Sequence, residues 1–310
     1  MCRKWQLLGA EHYKEQFRLK GAWPDQTGFE HHCLWQVDKL GSRFWQPLLN
    51  IDGENKQFGK TTAYGPDVVN DYVLNFMEQQ KSKPFLVYYP MILVHNPFDP
   101  TPDSESLKSK NKQRNFEDMV AYMDKLIGKV VDKLEELGER ENTLIIYLGD
   151  NGSPAEVCSI IHNHTEVCGG KGLTKDRGTH VPLICNWPGT IPASVVEDDL
   201  IDTCDYLPTI LEAAGVPVPE GYVMDGRSFL PQLRGETGDP RDWIPRRRQH
   251  QASPVWLHPR PARWSLKCWP PISQAVRSRT TSRAISGTWR KQRASRTAVS
   301  RRWSLIAFPC

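Results

Sequence analysis

No stretch of the chain approaches the roughly 18–20 consecutive apolar residues of a membrane-spanning helix, so no membrane partner is expected. Residues 1–17 have neither an apolar core nor a small-residue cleavage site, and no signal peptide is visible. Either the protein is cytosolic, or the chain begins after its true start. The eight cysteines form no C-x-x-C pair, which leaves a zinc site with little support. Cys158 and Cys168 bracket a polar loop and are the one local candidate for a disulfide, with two free thiols the equal alternative. Acidic residues are missing altogether from residues 245–310, although that segment carries 15 Lys and Arg.

What remains is a globular composition. Of 310 residues, 39% are hydrophobic and 25% charged, enough for one large domain or two ordinary ones. The formal charge of +4 averages an acidic body over residues 1–244, with 25 basic and 36 acidic residues, and the basic tail. Residues 245–310 are rich in Arg, Ser, Pro and Trp without a sustainable period, and are expected to be disordered. Arg and Trp suit nucleic acid in principle. Total loss of acids beside several tryptophans is instead the pattern of an out-of-frame translation, and a nucleic-acid partner is not expected.

Within the body, Pro66 and Asp67 open a helix whose face carries Val68, Val69, Tyr72, Val73, Phe76 and Met77. Residues 85–89 (FLVYY) form a short apolar run with the character of a buried strand. A second helix is predicted from Asn115, with Phe116, Met119, Val120, Met123, Ile127, Val130, Val131, Leu134 and Leu137 as its stripe and Gly138 as its stop. Residues 143–148 (TLIIYL) and 181–185 (VPLIC) repeat the strand pattern, and Asp205 is placed to cap a helix ending near Gly215. Residues 1–60 read as irregular. Strand, long helix and strand in succession predict an α/β domain with a largely parallel central sheet flanked by helices. In such sheets ligands bind beyond the carboxyl ends of the strands.

Those ends carry the chemistry. Asp150-Asn151-Gly152 supplies a carboxylate and an amide oxygen, the donors hard cations prefer. Alone, the triplet is more often a turn. Gly169-Gly170-Lys171-Gly172 follows, with glycines that allow close backbone approach and a lysine for an anion. It lacks the ending of a Walker loop. His95 lies just past the first apolar run, and Lys4 precedes Trp5 and Gln6.

Taken in order, these segments resemble the sulfatase family of the alkaline-phosphatase-like superfamily, over residues 1–244. The resemblance rests on Arg3-Lys4-Trp5-Gln6, on Lys83-Pro84-Phe85 with His95-Asn96-Pro97-Phe98, and on residues 142–152. Gly169-Gly170-Lys171-Gly172, His180-Val181-Pro182, Trp187-Pro188-Gly189, Asp205-Tyr206-Leu207-Pro208-Thr209 and Asp225-Gly226-Arg227-Ser228 complete it. It implies sulfuric-ester hydrolysis of a small-molecule or carbohydrate sulfate ester. Asp150 and Asn151 would be ligands of a divalent cation, usually calcium. Lys171, His95 and Lys4 would be catalytic residues that contact the sulfate. The family's Gly-Lys-Trp-His segment has its glycine and histidine replaced here by Arg3 and Gln6, and glutamine cannot act as an acid near neutrality.

The resemblance also implies a formylglycine nucleophile made within C/S-x-P-S/A-R, a motif absent from these residues. Cys268-Trp269-Pro270-Pro271 is a chance likeness. The paired aspartates of the family's first strand belong upstream of Lys4, so an incomplete fold, an inactive isolated chain and an exposed sheet edge are the expectations. The alternatives are a phosphoester or phosphonate hydrolase of the same superfamily, or a non-enzymatic basic-tail protein. The family is often periplasmic or secreted. Trp35, Trp45 and Tyr64 are candidate sugar platforms.

Overall fold

The computed structural model of the chain describes residues 1–59, 62–161, 164–246, 255–257 and 304–309. Residues 1–60, read as irregular, form a small sheet in the order β1-β2-β3-β4: β1 (Cys2–Lys4), β2 (Cys33–Trp35), β3 (Leu48–Ile51) and β4 (Glu54–Gln57). β1 pairs parallel to β2, and the rest are antiparallel. Strands of three or four residues are too short to show a period, which is why the sequence concealed them.

Two long helices follow the predicted stripes. α1 (Gly65–Gln80) has Pro66 in its first turn, where a missing N–H is harmless. α2 (Lys112–Glu136) starts three residues before the expected Asn115, because the Asn111 side chain caps it by accepting from the Arg114 N–H at 3.1 Å. Asn70 ties the helices together by donating to the Leu126 carbonyl at 3.2 Å. Tyr122 adds a second tie, donating to the Asp67 carboxylate at 2.8 Å.

The central sheet has the order β5-β12-β6-β9, with β5 (Leu86–Tyr88), β6 (Thr143–Leu148), β9 (Leu183–Asn186) and β12 (Ser304–Pro309). β12 runs parallel to both neighbours, so three strands are parallel, while β9 is an antiparallel edge. The sheet is α/β as expected, with that one reversal. Side chains alternate along β6. Ile145 joins the core made by α1, α2, Val87 and Ile306, while Leu144 and Ile146 join Trp187, Ala213 and Leu230 on the opposite face. After the single turn of α3 (Asp176–Thr179), that second face is covered by α4 (Tyr206–Ala214) and α5 (Leu230–Leu233).

Asp205 holds the N-cap position of α4 as expected, but its side chain does not cap that helix; Asp202 caps the preceding 3-10 turn (Thr203–Asp205), where Asp205 closes a reciprocal capping box by accepting from the Asp202 N–H at 2.8 Å. Within residues 245–310, expected to be disordered, the described stretches belong to β10 (Ile244–Arg246), β11 (Val255–Leu257) and β12, the last over a run of strand-forming residues, Leu305-Ile306-Ala307-Phe308. The remainder of the tail lies outside the described residues. Among the described residues, no helix is long and apolar enough to cross a membrane.

Candidate functional site

Lys4 ends β1, His95 follows β5, and Asp150 lies two residues past β6. The structure brings these positions together with Asn151 and Lys171 around one cavity of about 430 Å³. It therefore lies where the strand-end rule directs a ligand.

The loop carrying Asp150 and Asn151 interlocks with the loop carrying Lys171. The Gly152 N–H donates to the Gly178 carbonyl at 3.1 Å, and the Lys171 N–H to the Ser153 carbonyl at 3.0 Å. Glycine is required here by proximity: a Cβ on Gly152 would stand 2.0 Å from the Arg177 carbonyl oxygen, and one on Gly178 2.2 Å from that of Leu173. Both obstacles are backbone, so the loops must separate to admit a methyl group. We expect Gly152→Ala to weaken anion binding at least as much as removal of the Lys171 ammonium, with the helical circular-dichroism signal retained. Unchanged binding would refute the interlock.

Between the two loops lies an antiparallel hairpin of β7 (Cys158–Ile160) and β8 (Glu166–Cys168), closed by the Cys158–Cys168 disulfide. Gln113 anchors it to α2: its amide donates to the Cys158 carbonyl and accepts from the Cys158 N–H, both at 2.8 Å.

The cavity is electropositive. Lys4 places its ammonium 5.8 Å from the centroid of the Trp35 ring. His95, Lys171 and Asp150 are exposed to solvent within the opening. The His95 imidazole is held below its ordinary pKa, first by partial burial and then by the charges of Arg43, Lys171 and Lys4, against a hydrogen bond to the Asn96 carbonyl that favours the protonated form. Gln6 also lines the cavity and donates to the Tyr13 hydroxyl at 3.2 Å.

Sequence reasoning missed Arg43, which lines the same cavity at 8% exposure. A lone arginine between Ser42 and Phe44 carries no motif, and only the fold brings it to His95. The sugar-platform reading fails for Trp35 and Tyr64, which are 8% and 2% exposed and belong to the core. Trp45 is half-buried and donates to the Pro100 carbonyl at 3.0 Å.

Asp150 is the only carboxylate among the residues lining the cavity, and Asn151 adds one amide oxygen beside it. Calcium takes about six to eight oxygen ligands, so the donors present do not fit a complete calcium site, and no chemical step is assigned to a cation. Among the described residues, the single clustered trio of potential metal-binding groups is Cys158, Glu166 and Cys168, whose sulfurs are already in a disulfide.

A lysine from one sheet thus meets a histidine and an Asp-Asn pair from strand ends of the other around one cavity of an α/β scaffold. The sulfatase family profile matches residues 19–216, and the chain belongs to that family. It is 31% identical to mouse arylsulfatase G over 176 residues, covering 53% of this chain and 33% of that protein. It is also 31% identical to human arylsulfatase D over 170 residues, covering 52% of this chain and 28% of the human one. The chain thus spans about a third of the length of these curated relatives. The crystal structure of the PsFucS1 sulfatase from Pseudoalteromonas sp. superposes with a TM-score of 0.59 at 22% identity, over 78% of this chain and 56% of that one, a likeness of fold.

Proposed function

We propose that the cavity is a sulfate-ester site and that the chain is the anion-gripping part of a sulfuric ester hydrolase. The observation that carries this reading is the meeting of Lys4, His95 and Lys171 with Asp150 and Asn151 around one opening. A sulfate monoester keeps a negative charge that grows on the bridging oxygen as the S–O bond breaks. Lys4 and Lys171 are placed to stabilise that charge electrostatically. His95, once protonated, donates from its cavity-facing nitrogen to a sulfate or leaving-group oxygen. Covalent hydrolysis also needs a nucleophile, and no formylglycine motif occurs in these 310 residues. Binding without appreciable turnover is therefore the property assigned to the chain by itself.

Calorimetric titration with sodium sulfate and an aryl sulfate tests this. Binding is expected, with Lys171→Ala weakening it about tenfold, the loss of one charge-assisted contact. A bound anion raises the His95 pKa from its lowered free value, so binding takes up a proton. Affinity should be greatest below the free-site pKa, itself under the ordinary value of about 6.5, and should decline as pH rises through the anion-bound pKa. Wild-type protein that ignores sulfate at every pH would sink the reading. Turnover well above that of Lys171→Ala would sink the claim of binding alone.

Cation dependence gives a separate check. With two protein oxygens available, calcium up to the millimolar range is expected to leave the melting temperature unchanged, and a chelator likewise. A saturable calcium-induced rise would show that further donors complete the site.

A further inference from the structure

Arg43 sits with its guanidinium carbon 5.2 Å from the Trp35 ring centroid and 4.8 Å from that of Phe44. Trp35 thus lies within cation–π reach of both Arg43 and Lys4, one indole spacing two cations of the same cavity. Among the described residues, no carboxylate comes within ion-pair distance of Arg43; burial works against its charge, and Asp99 only partly offsets this. Its hydrogen bonds run instead to main-chain carbonyls, that of His95 at 3.4 Å and that of Asn96 at closer range. A guanidinium at 8% exposure, with Nη2 reaching both carbonyls and two aromatic rings beside it, is held in place by packing together with those bonds.

The Asn96 carbonyl also lies 2.7 Å from His95 Nδ1. A carbonyl only accepts, so Nδ1 must carry the hydrogen. The 3.4 Å approach of Arg43 to the same Nδ1 then sets donor against donor, and the useful contacts of Arg43 are the two carbonyls. With Nδ1 committed, Nε2 is the nitrogen left for a ligand. We propose that Arg43 is a positioning residue: packed by Trp35 and Phe44, it pins the His95–Asn96 main chain and so holds Nδ1–H on the Asn96 carbonyl, which leaves Nε2, once protonated, to donate to the anion. This rests on the reading of the cavity as a sulfate site.

The test uses the 310-residue protein and Arg43→Lys and Arg43→Met, with His95→Gln to assign the resonance. Nitrogen-15 NMR reads the tautomer of neutral His95, and sulfate titration reads affinity. The expected wild-type signature is Nδ1–H. Arg43→Lys keeps the charge but lacks the planar guanidinium that packs by both rings, so the tautomers should mix and sulfate affinity fall about tenfold, as for a lost charge-assisted bond. Arg43→Met should add a rise in the His95 pKa, because one of the three cations facing it is gone and only Lys4 and Lys171 remain. Wild-type His95 with its hydrogen on Nε2 would overturn the proposal without any variant. So would an Arg43→Lys protein with wild-type tautomer and affinity. Wild-type protein that fails to bind sulfate yet shows the tautomer shift in Arg43→Lys would overturn the sulfate reading and support the positioning role.

Discussion

Ile306→Asp is expected to abolish the folded state. Ile306 is fully buried, in the core shared with Val87, Ile145 and both long helices. It belongs to the strand between β5 and β6, aligned with Val87 on one side and Ile145 on the other. Ile306 is 0% exposed, so a carboxylate there is cut off from solvent. Its desolvation, or the forced protonation that replaces it, costs several kcal/mol, added to the roughly 1.5–3 kcal/mol of lost apolar burial. Against a typical stability of about 5–15 kcal/mol, that is most of the margin. Ile306→Val, which removes one methyl, should cost only about 0.5–1.5 kcal/mol. Thermal melts of the pair are decisive: if Ile306→Asp melts within a few degrees of wild type, the last strand does not occupy the sheet in solution.

A second large effect is expected at Asp205, which is 2% exposed and satisfied from three directions. Arg241 donates Nε at 2.8 Å and Nη2 closer still, while the main-chain N–H groups of Arg227 and Asp202 each donate at 2.8 Å. Burial by itself would raise the carboxyl pKa, but these donors outweigh it and hold the group below the ordinary carboxylate range. Asp205→Asn leaves the Arg241 guanidinium, 12% exposed, without its counter-charge. Breaking one side of such a buried pair costs about 3–5 kcal/mol. The sign with pH follows from linkage. A depressed folded pKa means that the stabilisation is complete above the unfolded value of about 3.9 and is lost as pH falls through the folded value. The wild type should therefore lose stability below about pH 4, whereas Asp205→Asn should start lower and be flatter over that interval. Parallel acid-limb slopes in the two proteins would refute this account.

Much of this architecture could be read from the chain because its signals were long or chemically distinctive. α1 and α2 span 16 and 25 residues, enough turns for an apolar stripe to repeat, and the apolar run of β6 matched its strand to the residue. His95, Asp150 and Asn151 stood out by their place just past apolar runs, whereas Lys171 was marked by the glycines around it and, like Lys4, by the resemblance of its segment to a sulfatase motif. The strands β1 to β4 escaped because three or four residues carry no period. The direction of β9 escaped too, since a run of apolar residues specifies burial but not polarity relative to a neighbour. Arg43 was invisible for a different reason: 52 residues separate it from His95, and nothing local marks a side chain whose partners are carbonyls. Trp35 and Tyr64 misled because an aromatic reads alike as a ligand platform or as packing until its burial is known.

The disulfide-closed hairpin has a consequence for the thermodynamics of anion capture. Cys158 and Cys168 lie on the only stretch of chain that leads from Asn151 to Lys171, and their bond, 10 residues apart in sequence, shortens the free arc between those two residues. With that arc short, fewer backbone conformations need be surrendered when a ligand is engaged from both sides, so the entropic penalty of association is smaller. Reduction would lengthen the arc without touching a single group that faces the anion. On the proposed sulfate reading, the affinity of the oxidised protein would thereby depend on the thiol poise of its surroundings.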